Sequence, residues 1–354
     1  MDERSAPKTT IGLDVGDKYT QLCVLDDAGE VAEEGRVRTT ETALVGRFSA
    51  MAAARVVLEA GTHAAWMRRA LLACGHEVLI ADSYQMGKVY RGQDKSDRRD
   101  AETLARFGRT DPKMLHPVHQ RSEPTLTDRA VLRSRGLLVR MRAQLIHHMR
   151  GLTKTFGARL PQCSAESFAS HIRGRIPERL VPAFAPLLDT LALLTKQIRA
   201  YDRELERIAA EHYPETERLR AVNGVGLITA ISFVLGIEDP HRFRKSRDVG
   251  AFLGLRPRQW QSGDREKELG TPRVGDRELR RVLVQSAHYI LGPFGKDSDL
   301  RRFGERLKKR GGRRATVRAV VAVARKLAVL LHRLWVGPAP YDPLYLAHRT
   351  PATA

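Results

Sequence analysis

Four carboxylates and one serine are the residues of this chain whose types and spacing could do chemistry. Asp14 lies in Ile11-Gly12-Leu13-Asp14-Val15-Gly16, a single acid inside an apolar run. A buried carboxylate without a partner is costly, so an acid here calls for a compensating group. Glu59 closes Val56-Val57-Leu58-Glu59 in the same manner. Asp97 and Asp100 stand three apart in Lys95-Ser96-Asp97-Arg98-Arg99-Asp100-Ala101, a spacing that puts both on one face of a helix. Like charges so close repel unless a cation sits between them. Mg²⁺ (or Mn²⁺) prefers hard oxygen ligands, and two such ions can activate a nucleophile and stabilise the leaving oxygen of a phosphodiester. The plainer alternative for the helical pair is that Asp97 caps the helix and Asp100 pairs with Arg99 or Arg106 on a solvated face.

Ser262 follows Gly254-Leu255-Arg256-Pro257-Arg258-Gln259-Trp260-Gln261, with Arg256, Arg258, Arg265 and Lys267 nearby in sequence. A serine attacks phosphorus if its proton is removed and the phosphate charge neutralised. On residue chemistry alone, however, most loop serines only hydrogen-bond the backbone. Upstream, Leu219 to Ala230 reads as helix, glycine turn, helix. Gly224 and Gly226 there would let the backbone approach a phosphate at the following helix N-terminus. Residues 301–334 hold 12 Lys and Arg against one acid, Glu305, and include Lys308, Lys309, Arg310, Arg313 and Arg314. A merely solvated face rarely excludes acids so completely, so phosphate contact is the favoured reading.

Composition points the same way. The 354 residues carry a net charge of +20, which favours polyanionic partners; an anionic membrane surface or a ribosomal role without chemistry are the alternatives. Residues 1–120 hold 17 Lys and Arg against 18 Asp and Glu, whereas residues 121–354 hold 44 against 23. The second part is therefore expected to hold nucleic acid, which leaves the acids of the first part for metal. The three cysteines, Cys23, Cys74 and Cys163, form no CxxC pair, so no disulfide framework or zinc knuckle is expected. The N-terminus lacks a secretory pattern, and the apolar stretch 319–336 is broken by Arg325, Lys326, His332 and Arg333, which argues against a membrane span. The expected compartment is the cytoplasm, at the bacterial nucleoid. The absence of GxxxxGK[ST] argues against nucleotide hydrolysis as the driving force.

The elements that would position these residues follow from periodicity. Residues 9–39 read as three strands with a hairpin turn at Asp26-Asp27-Ala28-Gly29, then a helix over 41–53, a strand over 55–59, a helix over 63–74 and a strand over 77–81. That order is the order of a ribonuclease H-like α/β fold, in which the strands of Asp14 and Glu59 lie side by side. From 126 to 161 and from 182 to 213 the pattern is helical; it suggests a hairpin or coiled coil that pairs protomers, or helices packed on their own domain. A helix, glycine turn and helix over 219–239 that resembles a helix-hairpin-helix motif, a glycine-rich loop through Gly275, and helices over 277–291 and 313–334 complete the chain.

Taken in order, Gly12-Leu13-Asp14-Val15, Leu58-Glu59-Ala60-Gly61, Lys95 to Ala101, Gly224-Val225-Gly226, Leu253 to Pro257 with Gln261-Ser262-Gly263, Leu279-Arg280-Arg281, Asp299 to Phe303 and Tyr341-Asp342-Pro343 resemble the transposases of the insertion sequence 110 family, DEDD recombinases guided by a bridge RNA. The resemblance implies a RuvC-like DEDD domain over 1–120, with Asp14, Glu59, Asp97 and Asp100 as metal ligands. It implies a helical coiled-coil linker over 121–215 that makes a dimer or tetramer. It further implies a mainly α transposase domain over 216–354, in which Ser262 is the nucleophile, against the plainer reading above. Double-stranded donor and target DNA and a structured guide RNA are the partners it implies. Because the acids and Ser262 belong to different domains, the working site is expected to be assembled when protomers pair. Two other classes stay open: a stand-alone metal-dependent junction endonuclease, which needs the acids but not Ser262, and a non-catalytic nucleic-acid-binding protein, which needs neither.

Overall fold

The computed structural model describes residues 9–89, 96–262, 265–272 and 274–348, with the side chains of 88, 89, 262 and 265–268 outside the described set. The chain divides into two compact units, Met1–Ser122 and Glu123–Ala354.

The first unit is a mixed α/β sheet. Strands β1 (Thr10–Val15), β2 (Tyr19–Leu25) and β3 (Val31–Arg38) form an antiparallel meander. Asp26 tightens the β2–β3 turn by accepting from the N–H groups of Ala28 and Glu30, both at 2.9 Å, and Gly29 takes the positive φ of 89° that such a turn needs. After helix α1 (Glu41–Phe48), strand β4 (Arg55–Glu59) pairs parallel with β1; after α2 (Ala64–Ala73), β5 (Glu77–Ala81) pairs parallel with β4. The strand order is β3-β2-β1-β4-β5. Alternation sorts the side chains between two faces. Ile11, Leu13, Val56 and Leu58 pack with Leu44 and Phe48 of α1 and Met67 and Leu71 of α2. The other face carries Cys23, Leu25 and Val57, and is covered by α3 (Ser83–Val89) and α4 (Asp97–Thr110), the latter through Ala101, Leu104 and Ala105. The helix expected over 41–53 ends at Phe48, where Ser49 closes it through its N–H on the Val45 carbonyl.

The second unit is almost entirely helical. Helices α5 (Glu123–Thr155) and α7 (Val181–His212) lie side by side, with α6 (Phe168–Ile172) packed at their shared end. Met149, Phe168, Phe184 and Leu188 are fully or nearly fully buried there. Beyond α8 (Glu215–Arg220) comes α9 (Leu227–Ile237), whose residues from Thr229 to Ile237 are all buried. Helices α11 (Arg277–Ile290) and α13 (Ala315–Val336) share one hydrophobic core with it, α11 packing directly on α9, while α10 (Asp248–Phe252) and α12 (Asp299–Lys309) pack on α13, and the short α14 (Tyr345–His348) follows. The glycine-rich stretch expected as a loop instead contains a hairpin, β6 (Gln259–Ser262) with β7 (Arg265–Glu268). No helix among the described residues is long and apolar enough to cross a membrane, and the three cysteines are free.

Candidate active site and nucleic-acid surface

The last paired step of the parallel β1–β4 ladder is Leu13 with Leu58, and the next residue on each strand is an acid, Asp14 and Glu59. Alternation puts Asp14 on the face of Thr10 and Gly12, and Glu59 on the face of Val57. That is the face α4 covers. A Cβ at Gly12 would stand 1.9 Å from the Ala101 carbonyl oxygen, and one at Gly108 would stand 2.4 Å from Val57 Cγ2 and 3.4 Å from Thr10 Cγ2. Ala101 therefore sits over Gly12 and Gly108 over Thr10, so α4 runs antiparallel to β1 with its N-terminus toward Asp14. Four residues back along the helix from Ala101 to Asp97 cover about 6 Å. Two residues forward along the strand from Gly12 to Asp14 cover roughly 6.6 Å in the same direction.

The same conclusion follows from the helix surface. Ala101, Leu104, Ala105 and Gly108 form its buried stripe, and one turn earlier that stripe is occupied by Asp97 and Asp100. Ser96, not Asp97, caps the helix by accepting from Arg99 N–H at 3.3 Å, and Arg106 pairs with Glu102 at 2.7 Å. The first turn is the favourable end of the helix dipole for two acids. Asp14, Glu59 and Asp100 are half-buried and Asp97 is exposed. Four hard oxygen donors at one end of one sheet face suit Mg²⁺ or Mn²⁺ rather than a softer ion. Among the described residues, no group of three or more His, Cys, Asp or Glu is gathered closely enough to hold an ion. The structure thus supplies a shared edge rather than a closed ligand shell.

Ser262 is the final residue of β6 and is opposite Arg265 in the hairpin register; its side chain lies outside the described residues, as does that of Lys267. The strand before it is solvent-facing on both sides, with Gln259, Trp260 and Gln261 all exposed. Its base is rigid. A Cβ at Gly254, where φ is +64°, would stand 2.5 Å from the Val274 carbonyl oxygen, and one at Gly275 would stand 2.3 Å from that of Phe252. Arg280 Nη1 donates to the carbonyls of both Leu253, at 3.3 Å, and Val274. Asp276 caps α11 through the N–H groups of Glu278 and Leu279, and also accepts from buried Arg129 Nη2 at 2.6 Å. Sequence reasoning missed these supports. Arg280 stood in the sequence only as part of the Leu279-Arg280-Arg281 resemblance and Asp276 as a charge like many others, and only the contacts reveal what they hold.

The residues expected on nucleic acid differ in their placement. Gly224 takes φ +86° and packs against Ile290 and Tyr289 of α11, so it serves the turn, whereas Gly226 is exposed with open space where a side chain would stand. Arg256 and Arg258 are exposed, Arg256 reaching Gln259 Oε1 at 3.4 Å. Lys309, Arg310, Arg313 and Arg314 are exposed, and no described residue pairs with them. Lys308 is different: it is half-buried and donates to Glu305 at 2.9 Å and to the Leu291 carbonyl at 3.3 Å.

Comparison with known proteins adds an independent line. A family model described as "Transposase", of the DEDD IS110 type, matches residues 11–156. A second, described as "Transposase IS116/IS110/IS902 family", matches residues 216–299. The chain is 29% identical to the transposase for insertion sequence element IS1111A of Coxiella burnetii, over 92% of this chain and 88% of that one. It is 29% identical to the transposase for insertion sequence element IS1328 of Yersinia enterocolitica, over 80% and 84%. It is 24% identical to the pilin gene-inverting protein of Moraxella bovis, over 70% and 68%.

Proposed function

Because the chain belongs to the IS110 family of transposases and is a DNA transposase or recombinase, we propose that it cuts and rejoins strands of donor and target DNA with the acids Asp14, Glu59, Asp97 and Asp100 and the nucleophile Ser262. The observation that carries this reading is the convergence of β1, β4 and the first turn of α4 on one end of one sheet face. The strand order β3-β2-β1-β4-β5 supports a ribonuclease H-like, RuvC-like identity for the first unit. Its four acids would hold Mg²⁺ or Mn²⁺. When bound, such ions polarise the scissile phosphate and stabilise the leaving oxygen.

The remaining chemistry belongs to the chain itself. Ser262 Oγ forms the new bond to phosphorus as the bond to a deoxyribose oxygen breaks, and that oxygen takes up a proton. A hydroxyl of the partner strand then attacks the phosphoserine ester, which returns the serine and joins the new strand. One phosphodiester is exchanged for another, so no nucleotide hydrolysis is required. The hairpin base fixed by Gly254, Gly275 and Arg280 positions the serine backbone. The resemblance and the exposed cations at Lys309, Arg310, Arg313 and Arg314 support a structured guide RNA as a further partner. On α5 and α7, exposed Leu137, Met141 and Leu193 support pairing of protomers into a dimer or tetramer.

The test is strand cutting and joining in vitro with donor duplex, target duplex and RNA transcribed from the DNA beside the gene. Asp14→Ala, Glu59→Ala and Asp100→Ala should each lower product formation by about 10²-fold or more, with Tm retained within a few degrees. Undiminished recombination in Asp14→Ala would overturn the site. Cutting that survives Ser262→Ala would favour a metal-dependent junction endonuclease.

A further inference from the structure

Two sequence segments that the recombination chemistry leaves unused meet in the second unit. Asp299-Leu300-Arg301-Arg302-Phe303 opens α12, and Tyr341-Asp342-Pro343 lies in the chain that returns after α13. The Asp299 N–H donates to the Pro343 carbonyl at 2.7 Å, and the Leu346 N–H donates to Asp299 Oδ2 at 2.8 Å. Asp342 ties the same return, accepting from Leu344 N–H at 2.9 Å and lying 2.8 Å from His348 Nδ1. Between this strap, α10, α12 and α13 lies a cleft of about 1110 Å³.

The cleft has an apolar floor, with Leu300, Phe303, Leu330 and Leu334 among its lining residues. Its rim is cationic. Arg247, Arg306 and Arg325 line it, and none of them pairs with an acid or hydrogen-bonds through its side chain among the described residues. Two of the three acids that line it, Asp299 and Asp342, are already engaged by the strap. Lys326 Nζ stands 4.2 Å from the centre of the Phe303 ring, and the Arg333 guanidinium lies 5.2 Å from that of Tyr345. Such pairs present flat, cation-backed surfaces. Arg256, which leads toward β6, lines the same cleft.

We propose that this cleft receives one unstacked nucleotide of a nucleic-acid strand, its base on the Phe303 floor and its phosphates on Arg247, Arg306 and Arg325. The inference rests on the transposase reading for the partner's class, and it adds a particular place where that partner is gripped. Neither half of the ligand alone accounts for the cleft. Inorganic phosphate leaves the apolar floor uncovered, and an uncharged ring leaves three cations without a counter-charge. A base carrying its phosphates satisfies both, and base stacking on aromatic surfaces does not depend on sequence. The place is therefore suited to a base turned out of a junction or an RNA loop.

The full chain is irradiated with a single-stranded DNA ten-mer carrying 4-thiothymidine, and the crosslinked peptides are mapped by mass spectrometry. Crosslinks are expected within 299–306 or 341–346. Arg247→Glu and Arg306→Glu, which alter exposed and unpaired charges, should each lower their yield about tenfold, the effect of one lost charged phosphate contact. In parallel, the dinucleotide pTpT should compete at least tenfold better than inorganic phosphate. Crosslinks confined to 309–318, yields unchanged in both variants, or equal competition by phosphate would each overturn the proposal. The recombination assay of the wild-type chain is read alongside: activity without the cleft crosslink rejects the cleft alone, whereas failure to bind or cut any DNA rejects the transposase reading.

Discussion

Individual side chains in this protein are committed to sharply different tasks despite similar positions in the sequence. Lys308 and Lys309 are neighbours, yet the first is spent on Glu305 and the Leu291 carbonyl while the second is exposed. Tyr213 is a second committed group. Its phenol donates to Asp128 Oδ2 at 2.8 Å, and burial, followed by the Asp128 hydrogen bond, pushes its pKa up to about 12. A phenol whose pKa rises on folding contributes stability that is complete below its unfolded value near 10. That contribution is lost as pH climbs through about 12. Tyr213→Phe should cost about 1 kcal/mol at neutral pH and flatten the fall in stability between pH 10 and 12, as measured by denaturant unfolding across that range. An unchanged alkaline slope would show that Tyr213 does not titrate in the folded state as its contacts imply. This pair was not legible from spacing, because Asp128 and Tyr213 are 85 residues apart. Asp14 and Glu59 were legible by contrast, since a lone acid inside an apolar strand stands out against its neighbours.

At the scale of elements, the candidate site depends on how closely α4 can approach β1. Gly12 and Gly108 permit that approach, and a methyl group at Gly12 would collide with helix backbone that cannot rotate away. Gly12→Ala should therefore lower stability by about 3 kcal/mol and shift the first turn of α4 away from Asp14. Thermal unfolding reads the first effect and strand cutting the second. A variant with wild-type Tm would mean that α4 does not rest on Gly12. The meander, the parallel strands and the long helices were readable because each follows a hydrophobic period set by one buried face. The β6–β7 hairpin was not: Gln259-Trp260-Gln261-Ser262 and Arg265-Glu266-Lys267-Glu268 show no apolar alternation. Helix α12 was also missed. Its charge run reads as surface, yet Leu300, Phe303, Gly304 and Leu307 give it a packing face. The face is narrow, so periodicity alone does not expose it.

For the whole molecule, the separation of charge along the chain sets the balance of tasks. The near-neutral first unit suits an ion site, and the strongly basic second unit suits phosphate. Replacing Lys309, Arg310, Arg313 and Arg314 with Ala should weaken RNA and DNA binding across sequences and reduce the slope of log affinity against log salt by about 0.9 per lost duplex phosphate contact. Lys308→Ala should instead act mainly on stability. Binding titrations from 50 to 300 mM salt, on the order of the range where counterion release dominates, distinguish the two. Salt-insensitive binding would contradict a phosphate-holding surface.

The central claim is that Ser262 becomes covalently joined to DNA and that the four acids drive that step. It is tested most directly by trapping the protein with end-labelled donor duplex and guide RNA, digesting it, and locating the DNA-bearing peptide by mass spectrometry. The predicted result is an adduct on the peptide containing Ser262, absent in Ser262→Ala and lost in Asp14→Ala. An adduct that persists in Ser262→Ala, or strand exchange at the wild-type rate without one, would contradict it.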